Sequence, residues 1–447
     1  MASVTVPRRT IPVLTEADVL VCGGGPAGIT AAVAAARHGA RVVLVERWPS
    51  VGGQATNALV NIWHTSDRTK QVIFGLVQEL VERGGRHVTR RPDYPARPET
   101  HDFDPTLMRV VFHDLLDSAG VRTLCHLPVS EPLVADGRLR GVLVATKHGP
   151  RALLASIVVD ATGDADVASA AGVTCDIGRP GDGRVQGMTM MFRLRGIDSA
   201  AARAHPADAE RVLALMQELR AEGRFPPFMD LAAAHYLRSG PGPDVSFNMC
   251  PVAGNPLDEE ELTRLSVTAR RQVVAYLDLW RREMPGFQGA EIDQMGFWLG
   301  VRESRRIRGR QTLDAAMVAG ATKQPDAIGH GFWLIDIHDP LGSGYTTWAD
   351  QDQRLMPPVG ASYHLPLGIC LTDQAPNLAV AGRCASMTHE GLASARIQTH
   401  CMVMGQGVGT AAALALDAGV DLAQVDIARL QATLRRDGVY LEDVPEG

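Results

Sequence analysis

Three glycines near the start of the chain, Gly23, Gly25 and Gly28, have the spacing of a phosphate-binding loop. They follow a short apolar run that predicts a buried strand, and they precede an alanine-rich segment that predicts a helix over 26–39. The first glycine would permit a tight turn, the second a close approach of a pyrophosphate, and the third close packing of the helix on the strand. The helix N-terminus would then offer free N–H groups to the phosphates.

An acidic residue at the end of the next apolar run extends this pattern. The run 41–46 predicts a second buried strand, and Glu46 follows Gly28 by eighteen residues. A carboxylate at that place accepts hydrogen bonds from the hydroxyls of a ribose. The strands, the helix and the acid form a β-α-β unit of about thirty residues, which predicts dinucleotide binding. The alternative is a glycine-rich turn in an α/β protein that binds no nucleotide.

Three segments further along the chain also contain glycines. Gly52-Gly53 follows Glu46 by six to seven residues, Gly163 lies in the turn 161–164 after a predicted strand, and Gly382-Arg383 precedes a small-residue helix predicted over 399–418. In this order the segments resemble the FAD-binding flavoproteins of the glutathione reductase and fumarate reductase superfamily. The resemblance implies FAD rather than NAD. No motif for covalent attachment is present, so we expect non-covalent FAD.

The resemblance narrows to the bacterial FAD-dependent oxidoreductase family related to the flavoprotein subunit of heterodisulfide reductase. The segments 302–307, 381–384, 388–390 and 404–406 carry it. Two departures limit what it implies. The segment 54–67 has no cysteine, which excludes a dithiol relay. No second Gly-x-Gly-x-x-Gly follows a strand, so we expect electrons from the substrate or from a docking partner rather than from an NAD(P)H domain.

Arg396 and Gln398 precede the last predicted helix, and the resemblance implies that the N-terminus of this helix approaches the N1/O2 edge of the flavin. Positive potential there would stabilise the reduced anionic flavin. The complete set of residues predicted to contact FAD is Gly23, Gly25, Pro26, Ala27, Gly28, Glu46, Arg47, Gly53, Gln54, Ala55, Thr56, Val129, Ala161, Gly163, Gly382, Arg383, Arg396 and Gln398.

Candidate catalytic side chains are histidines and arginines, because these would orient a substrate or accept its proton beside a flavin. If 302–306 is a strand, Arg302 and Arg306 share one face and would pair a substrate carboxylate. The alternative is a structural salt-bridge network around Glu303. For each histidine the alternative is a structural or surface role, and for His64 it is a position in a loop that faces water. The candidates are His64, Arg302, Arg305, His338 and His364.

Composition excludes several other classes of protein. The net charge of −6 gives no basic surface for nucleic acid. Lys70, Lys147 and Lys323 are the three lysines, which disfavours lysine-based covalent catalysis. The seven cysteines lack paired spacing, so we expect no disulfide framework and no metal site. No apolar stretch has the length of a membrane span, and residues 1–10 contain no apolar region of a secretory signal, so we expect a cytoplasmic protein.

The fold class that these patterns predict is α/β, with a discontinuous Rossmann-type FAD-binding domain and an inserted α+β substrate domain. The predicted domains are 1–178 (FAD-binding, first part), 179–370 (insert) and 371–447 (FAD-binding, C-terminal part). We expect a dehydrogenase or oxidase of a small organic substrate, with hydride transfer to flavin N5. Alternatives are a flavin monooxygenase and an electron-carrying subunit of a complex. A homo-oligomer or an electron-transfer partner is compatible with the sequence.

Overall fold

The structure, a computed structural model, describes residues 10–91, 99–204, 214–215, 217–219, 221–223, 236–238, 245–341 and 356–445. Its strands are β1 (Val13–Cys22), β2 (Val42–Val45), β3 (Ile62–His64), β4 (Val88–Arg90), β5 (Thr100–Phe103), β6 (Arg122–Leu124), β7 (Val129–Ala135), β8 (Arg138–Thr146), β9 (Gly149–Asp160), β10 (Cys175–Ile177), β11 (Met188–Arg195), β12 (Tyr236–Arg238), β13 (Val245–Val252), β14 (Glu291–Met295), β15 (Arg305–Ile307), β16 (Ala327–Gly331), β17 (Tyr363–Pro366) and β18 (Leu378–Val380).

The α-helices are α1 (Pro26–Arg37), α2 (Leu76–Gly84), α3 (Pro105–Ser118), α4 (Asp166–Ala170), α5 (Ser199–Ala204), α6 (Glu259–Glu283), α7 (Ala315–Ala319), α8 (His389–Ala395), α9 (Gln398–Ala418) and α10 (Ile427–Arg436). Short 3₁₀ helices cover Gly85–His87, Leu367–Cys370 and Leu422–Gln424.

The central sheet has the strand order β6-β2-β1-β9-β8-β7, with β18 paired to the end of β9. Strands β6, β2, β1, β9 and β18 run parallel, and both neighbours of β8 run antiparallel to it. Parallel strands are covered on both faces of the sheet. This explains why the buried parts of β1, β2 and β9 are uninterrupted apolar sequences. Asp136 and Gly137 close the β7–β8 hairpin with positive φ at both positions, as a type I′ turn requires. The predicted α/β fold of Rossmann type is confirmed.

Helix α9 packs along α1 over much of its length. A side chain at Gly405 would overlap the Ala27 carbonyl, and one at Gly409 would overlap the Ala31 carbonyl. Gly405 and Gly409 therefore serve helix–helix contact, whereas Gly407 allows the close approach of Ile328 in β16. Helix α9 is the one helix in the described part of the chain that is long and apolar enough to cross a membrane, and 83% of its apolar window is buried inside the protein. This burial is typical of a core helix.

A second layered unit lies between β11 and β14. Its sheet has the order β12-β13-β11-β14, and α6 packs on β11 and β13. Asp258 caps α6 by accepting from the Glu261 N–H, and three glutamates in the first turn complement the helix dipole. Phe192, Phe247 and Trp280 form the centre of its core.

Two hydrophobic clusters divide the chain. The smaller one gathers buried residues from Met188 to Leu299. The larger one joins the central sheet to later residues, and it includes Ile307 and Leu371. The described residues between these two positions, 308–341 and 356–370, therefore belong with the nucleotide-binding core rather than with the smaller cluster. The predicted insert bounds at 179 and 370 stay a prediction, and we propose that the compact insert ends near 301.

Candidate active site

The first glycine loop joins the end of β1 to α1. Gly23 has φ +108°, and a side chain there would overlap the Ala161 carbonyl oxygen. A side chain at Gly28 would overlap the Gly23 carbonyl oxygen. Gly25 differs, because a Cβ built there has no atom within 4 Å. The first and third glycines are thus required by packing, whereas the second borders open space at the N-terminus of α1, where no side chain caps the helix.

Glu46 lies directly beside this loop. Its side chain is 5% exposed and accepts hydrogen bonds from the Gly24 N–H at 2.6 Å and from the Trp48 N–H at 3.0 Å. Burial raises the pKa of Glu46, and the two backbone donors offset part of that rise. The carboxylate therefore has lone pairs for further donors at the place predicted for a ribose.

The glycine pair packs onto the first loop. The Gly52 N–H donates to the Gly24 carbonyl at 2.7 Å, and a Cβ built at Gly53 would come within 2.8 Å of Gly25 Cα. Ala55 and Thr56, the next predicted contacts, are buried under this turn. Gln54 points the other way, since its Oε1 lies 3.6 Å from a Cβ built at Gly300. This segment therefore connects the phosphate-facing loop to the insert.

The two later glycine segments meet at an ion pair. Asp164 accepts from Arg383 at 2.6 Å and from the Ser304 hydroxyl at 2.6 Å. The Arg383 guanidinium also lies 3.1 Å from a Cβ built at Gly163, so a larger residue there would press on it. On the other side Gly382 borders the Ala27 side chain at 3.0 Å from its built Cβ. The four glycine segments thus lie together in the fold.

Arg47 and Val129 lie at the outer rim of this arrangement. The Arg47 guanidinium sits 5.6 Å from the Trp48 ring centre and 5.5 Å from that of Trp298. Trp298 comes from the insert and packs against Trp48, with the ring centres 4.8 Å apart and the ring planes tilted by 51°. Val129 begins β7 and pairs with Val144. Sequence analysis did not indicate Trp298, because no pattern in the neighbouring residues predicts its contact with Trp48.

The N-terminus of α9 reaches the same region from the carboxyl end of the chain. Gln398 accepts from the Trp63 indole at 2.9 Å and donates to the Val60 carbonyl at 2.5 Å. Its side-chain amide therefore ties α9 to the 60–63 segment. Ile397 caps the helix without a side-chain hydrogen bond, which leaves backbone donors for a ligand.

Three candidates act on Asp336, which sequence analysis did not indicate: His338 lies two residues along the chain, and Arg302 and Arg396 come from other segments. His338 Nε2 lies 3.4 Å from Asp336 Oδ2, and Arg396 donates to the Asp336 carbonyl at 2.9 Å. Arg302 donates to the Gly187 carbonyl at 2.7 Å and lies near enough to act on both titratable groups. We call Arg302, Asp336, His338 and Arg396 the Asp336 cluster.

The charges of the Asp336 cluster shift the protonation of its members. Burial lowers the pKa of His338 to about 3, with Arg302 adding to the effect and Asp336 opposing it. Burial would raise the pKa of Asp336, but His338 and the two arginines hold it below its usual range. Near neutral pH the imidazole is therefore neutral and the carboxylate is ionised.

Arg305 and Arg306 do not join this cluster. Arg305 donates to the Asp164 carbonyl and to the Asp166 carboxylate at 2.6 Å. Arg306 pairs with the fully buried Glu303, whose other oxygen lies 2.8 Å from His389 Nδ1. The condition under which Arg302 and Arg306 would share one face, a strand over 302–306, is not met, because the strand begins only at residue 305. The alternative, a salt-bridge network around Glu303, is present.

The remaining two histidines occupy different places. His64 is 8% exposed, stacks at 4.2 Å on Trp333 and shares a hydrogen bond with Thr100, so a water-facing loop position is wrong. His364 is buried in the β16–β17 ribbon, bonded to Gln324 and to the Glu442 carbonyl. The catalytic assignments of His64, Arg305 and His364 stay predictions.

All seven cysteines are free. Among the described residues no group of three or more histidine, cysteine, aspartate or glutamate side chains is placed to hold a metal ion.

Comparison with known proteins identifies the family. A model of the FAD dependent oxidoreductase family matches residues 18–434, and the chain belongs to that family. A thiamine thiazole synthase from Methanococcus aeolicus is 30% identical over 165 residues, which are 34% of this chain and 57% of the synthase. A fumarate reductase (cytochrome) from Shewanella frigidimarina is 28% identical over 138 residues, 30% of this chain and 21% of the reductase. The matches thus span little more than half of the synthase and about a fifth of the reductase.

Solved structures share the fold at low identity. A p-nitrophenol 4-monooxygenase from Pseudomonas putida DLL-E4 has a TM-score of 0.50 at 13% identity, covering 96% of this chain and 90% of its own. A triple mutant of a flavin-dependent brominase has a TM-score of 0.50 at 12% identity, covering 94% and 84%. These similarities concern the fold. The predicted FAD-dependent oxidoreductase family and the predicted FAD cofactor are confirmed.

The residues of the site fit this cofactor. Open space at Gly25 suits a pyrophosphate, a buried carboxylate lies at the ribose position, and an uncapped helix N-terminus faces inward from α9. We call the segments 23–28, 46, 52–56, 161–164, 382–383 and 396–398 the flavin cradle. Which individual residues of the cradle touch FAD stays a prediction.

Proposed function

We propose that this protein oxidises a small organic molecule bearing a carboxylate, as a dehydrogenase or an oxidase. The observation that carries the proposal is the Asp336 cluster, where two arginines and a neutral histidine meet next to the N-terminus of α9. When bound, FAD supplies a hydride acceptor at N5. The protein must then orient the substrate and take up its proton.

Arg302 and Arg396 would hold the substrate. Hydrogen bonds to backbone carbonyls orient both guanidinium groups, Arg302 from the insert side and Arg396 from the α9 side. A guanidinium keeps its charge at every working pH and presents a planar set of donors to a carboxylate. One carboxylate in the substrate would therefore be held between the two halves of the molecule.

His338 would accept the substrate proton. Its imidazole is neutral in the absence of substrate because burial and Arg302 lower its pKa. A bound carboxylate would offset the positive charge of the arginines and raise that pKa toward the range where imidazole is an effective base. Asp336, 3.4 Å away, would orient the ring and stabilise the imidazolium that forms.

An anaerobic titration tests the proposal. The purified holoprotein is mixed without oxygen with amino acids, hydroxy acids and their decarboxylated analogues, and flavin absorbance is followed. We expect bleaching by a carboxylate-bearing substrate and none by its decarboxylated analogue. Subsequent admission of oxygen separates an oxidase, which forms peroxide, from a dehydrogenase. Bleaching only by NAD(P)H with oxygen insertion would establish the monooxygenase alternative, and bleaching only through a protein partner would establish the carrier alternative.

Variants of the cluster sharpen the test. Arg302→Met and Arg396→Met should each raise KM for the carboxylate substrate about 100-fold, because a buried charge-assisted pair contributes about 3 kcal/mol. Arg308→Met is the matched control, since this arginine pairs with Asp176 on the surface outside both the cradle and the cluster. Unchanged KM in both cluster variants, with FAD still bound, would contradict the assigned role.

A further inference from the structure

A cavity of about 220 Å³ lies outside the flavin cradle and outside the Asp336 cluster. Two of the three lysines of the chain face it, although lysine is rare in this sequence. The full lining is Asp67, Lys70, Ala321, Lys323, His330, Gly360, Ala361, Ser362, Tyr440 and Asp443.

Each lysine donates one hydrogen bond to a neutral oxygen atom, and Lys70 Nζ also lies 4.0 Å from the Glu442 carboxylate. Lys323 Nζ donates to the Ser362 carbonyl at 2.9 Å, and Lys70 Nζ donates to the Tyr440 hydroxyl at 2.6 Å. An ammonium group has three donors, so each lysine keeps donors for a ligand. Burial lowers the pKa of Lys323, Asp443 and Asp67 oppose this effect, and the neighbouring Lys70 adds to it. An anionic group placed between the two ammonium groups would relieve their repulsion.

Asp67 supplies the opposite charge. It is 2% exposed, and its Oδ1 accepts from the backbone N–H groups of Thr69 and Lys70 and from the Thr69 hydroxyl. Its Oδ2 is buried and has no hydrogen-bond partner. A buried carboxylate oxygen without a donor is costly, and native structures seldom leave one so. A hydrogen-bond donor on a ligand in the cavity would satisfy it.

Neutral groups complete the wall. Burial, with His364 and Lys323 close by, lowers the pKa of His330 to about 2, so its imidazole is uncharged. His330 Nδ1 shares a 2.8 Å hydrogen bond with the Ser362 hydroxyl. The charged lining is therefore balanced, with two ammonium groups against Asp67 and Asp443. A bare anion such as phosphate would be repelled by Asp67, whereas a molecule carrying both charges would satisfy both sides.

We propose that this cavity binds a small zwitterion of the α-amino acid type. Its carboxylate would lie between Lys70 and Lys323, and its ammonium would donate to Asp67 Oδ2. The volume equals that of about seven water molecules at about 30 Å³ each, which suits a ligand of this size. The site is separate from the flavin chemistry, so it would regulate the enzyme or hold a substrate or product before exchange.

The scarcity of lysine makes a direct test practical. The holoprotein is labelled biosynthetically with ¹³C-lysine, and the ε-CH₂ signals of three lysines are followed by NMR while standard α-amino acids are added one at a time. At least one amino acid should shift the signals of Lys70 and Lys323 with saturation. Lys147, exposed in the β8–β9 turn, is the internal control and should not move.

Matched probes and variants decide the chemistry. The analogue with a hydroxyl in place of the amine and the analogue without the carboxylate should each bind at least about tenfold more weakly. Lys323→Met should abolish saturation while Lys147→Met leaves it unchanged, and Asp67→Asn, which keeps the Oδ1 acceptor, should weaken binding about tenfold. No saturable shift with any amino acid, equal binding of phosphate, or equal movement of Lys147 would overturn the proposal. FAD absorbance and substrate bleaching are recorded in parallel, so failure here is distinguishable from failure of the proposed oxidation.

Discussion

The flavin cradle is formed mainly by backbone atoms and glycines, whereas the Asp336 cluster beside it is formed by charged side chains. In the cradle, Gly23 and Gly28 are required because any side chain would overlap a carbonyl oxygen. In the cluster, Arg302, Asp336 and Arg396 are held by hydrogen bonds between segments that are far apart in sequence. Backbone contacts depend on local spacing, and charge contacts depend on the complete fold.

This difference implies different responses to mutation. A backbone-built site tolerates charge changes but not added atoms, because the interior is close-packed. A site formed by charged side chains also tolerates added atoms poorly. The most damaging change there is the loss of one partner from a buried ion pair, because the other charge is then left buried without a partner. The predictions below test this contrast, beginning with the largest expected effect.

Arg306→Met should destabilise the protein by about 3 to 5 kcal/mol, because it leaves the buried Glu303 carboxylate without its guanidinium partner. Urea unfolding of the holoprotein measures the effect. The double variant Glu303→Leu/Arg306→Met removes both charges and should lose less than the single variant. A loss below about 1 kcal/mol in the single variant would contradict the view that this pair is a buried structural unit.

Gly28→Ala and Gly25→Ala should separate packing from binding within the cradle. The first should cost about 3 kcal/mol of stability, because the new Cβ overlaps the Gly23 carbonyl. The second should leave stability unchanged, since its Cβ meets no atom within 4 Å, yet it should weaken FAD binding about 100-fold. Thermal unfolding of the apoproteins and FAD titration give the two quantities. Equal FAD affinity in Gly25→Ala and the wild type would show that the open space is not the phosphate position.

Glu46→Gln should weaken FAD binding about tenfold near pH 8, because the carboxylate is the stronger acceptor for ribose hydroxyls. Burial raises the pKa of Glu46 in the folded apoprotein above the unfolded value of about 4.3. The contribution of this side chain to the free energy of unfolding is therefore fully present below about pH 4.3. It is lost as the pH rises through the pKa of the folded state.

The check is urea unfolding of both apoproteins as a function of pH. The stability of the wild type relative to Glu46→Gln should fall with rising pH, and FAD should reverse the trend by stabilising the ionised form. A wild type that gains stability over the variant with rising pH, in the absence of FAD, would show that the backbone donors outweigh burial.

Arg305→Met should cost only about 1 kcal/mol, because its pair with Asp166 is partly open to solvent. The pKa of Asp166, already raised to about 6 by burial and by Asp164, should rise further when the cation is removed. NMR titration of the carboxylate measures this shift. A stability loss as large as that of Arg306→Met would remove the distinction between exposed and buried arginines in this segment.

Much of the cradle was predictable from local patterns. The spacing of Gly23, Gly25 and Gly28 encodes a turn between a strand and a helix, and Glu46 ends the following strand. The Asp136-Gly137 hairpin was equally readable, because both residues favour positive φ. The order of the later glycine segments indicated FAD through the family resemblance. Residue spacing and backbone preference act over a few residues, so they can be recognised from the sequence alone.

The charged groups illustrate what was not predictable. Arg302 and Arg306 were expected on one face of a strand, but residues 301–304 form no strand and the two side chains point to different partners. Asp336 and Trp298 were missed because each acquires its role from a residue far along the chain. No local pattern marks such pairs.

The sequence by itself determined the nucleotide-binding unit, because this follows from turn geometry and from strand and helix periodicity. The family and the cofactor came from the resemblance of the ordered glycine segments to known flavoproteins. Only the tertiary structure decided which charges meet. It placed His338 beside Asp336 and set its protonation through burial, and it gathered Lys70 and Lys323 around one cavity. The physical reason is that charge interactions and burial depend on distances in space, which the chain acquires only when its distant segments pack together.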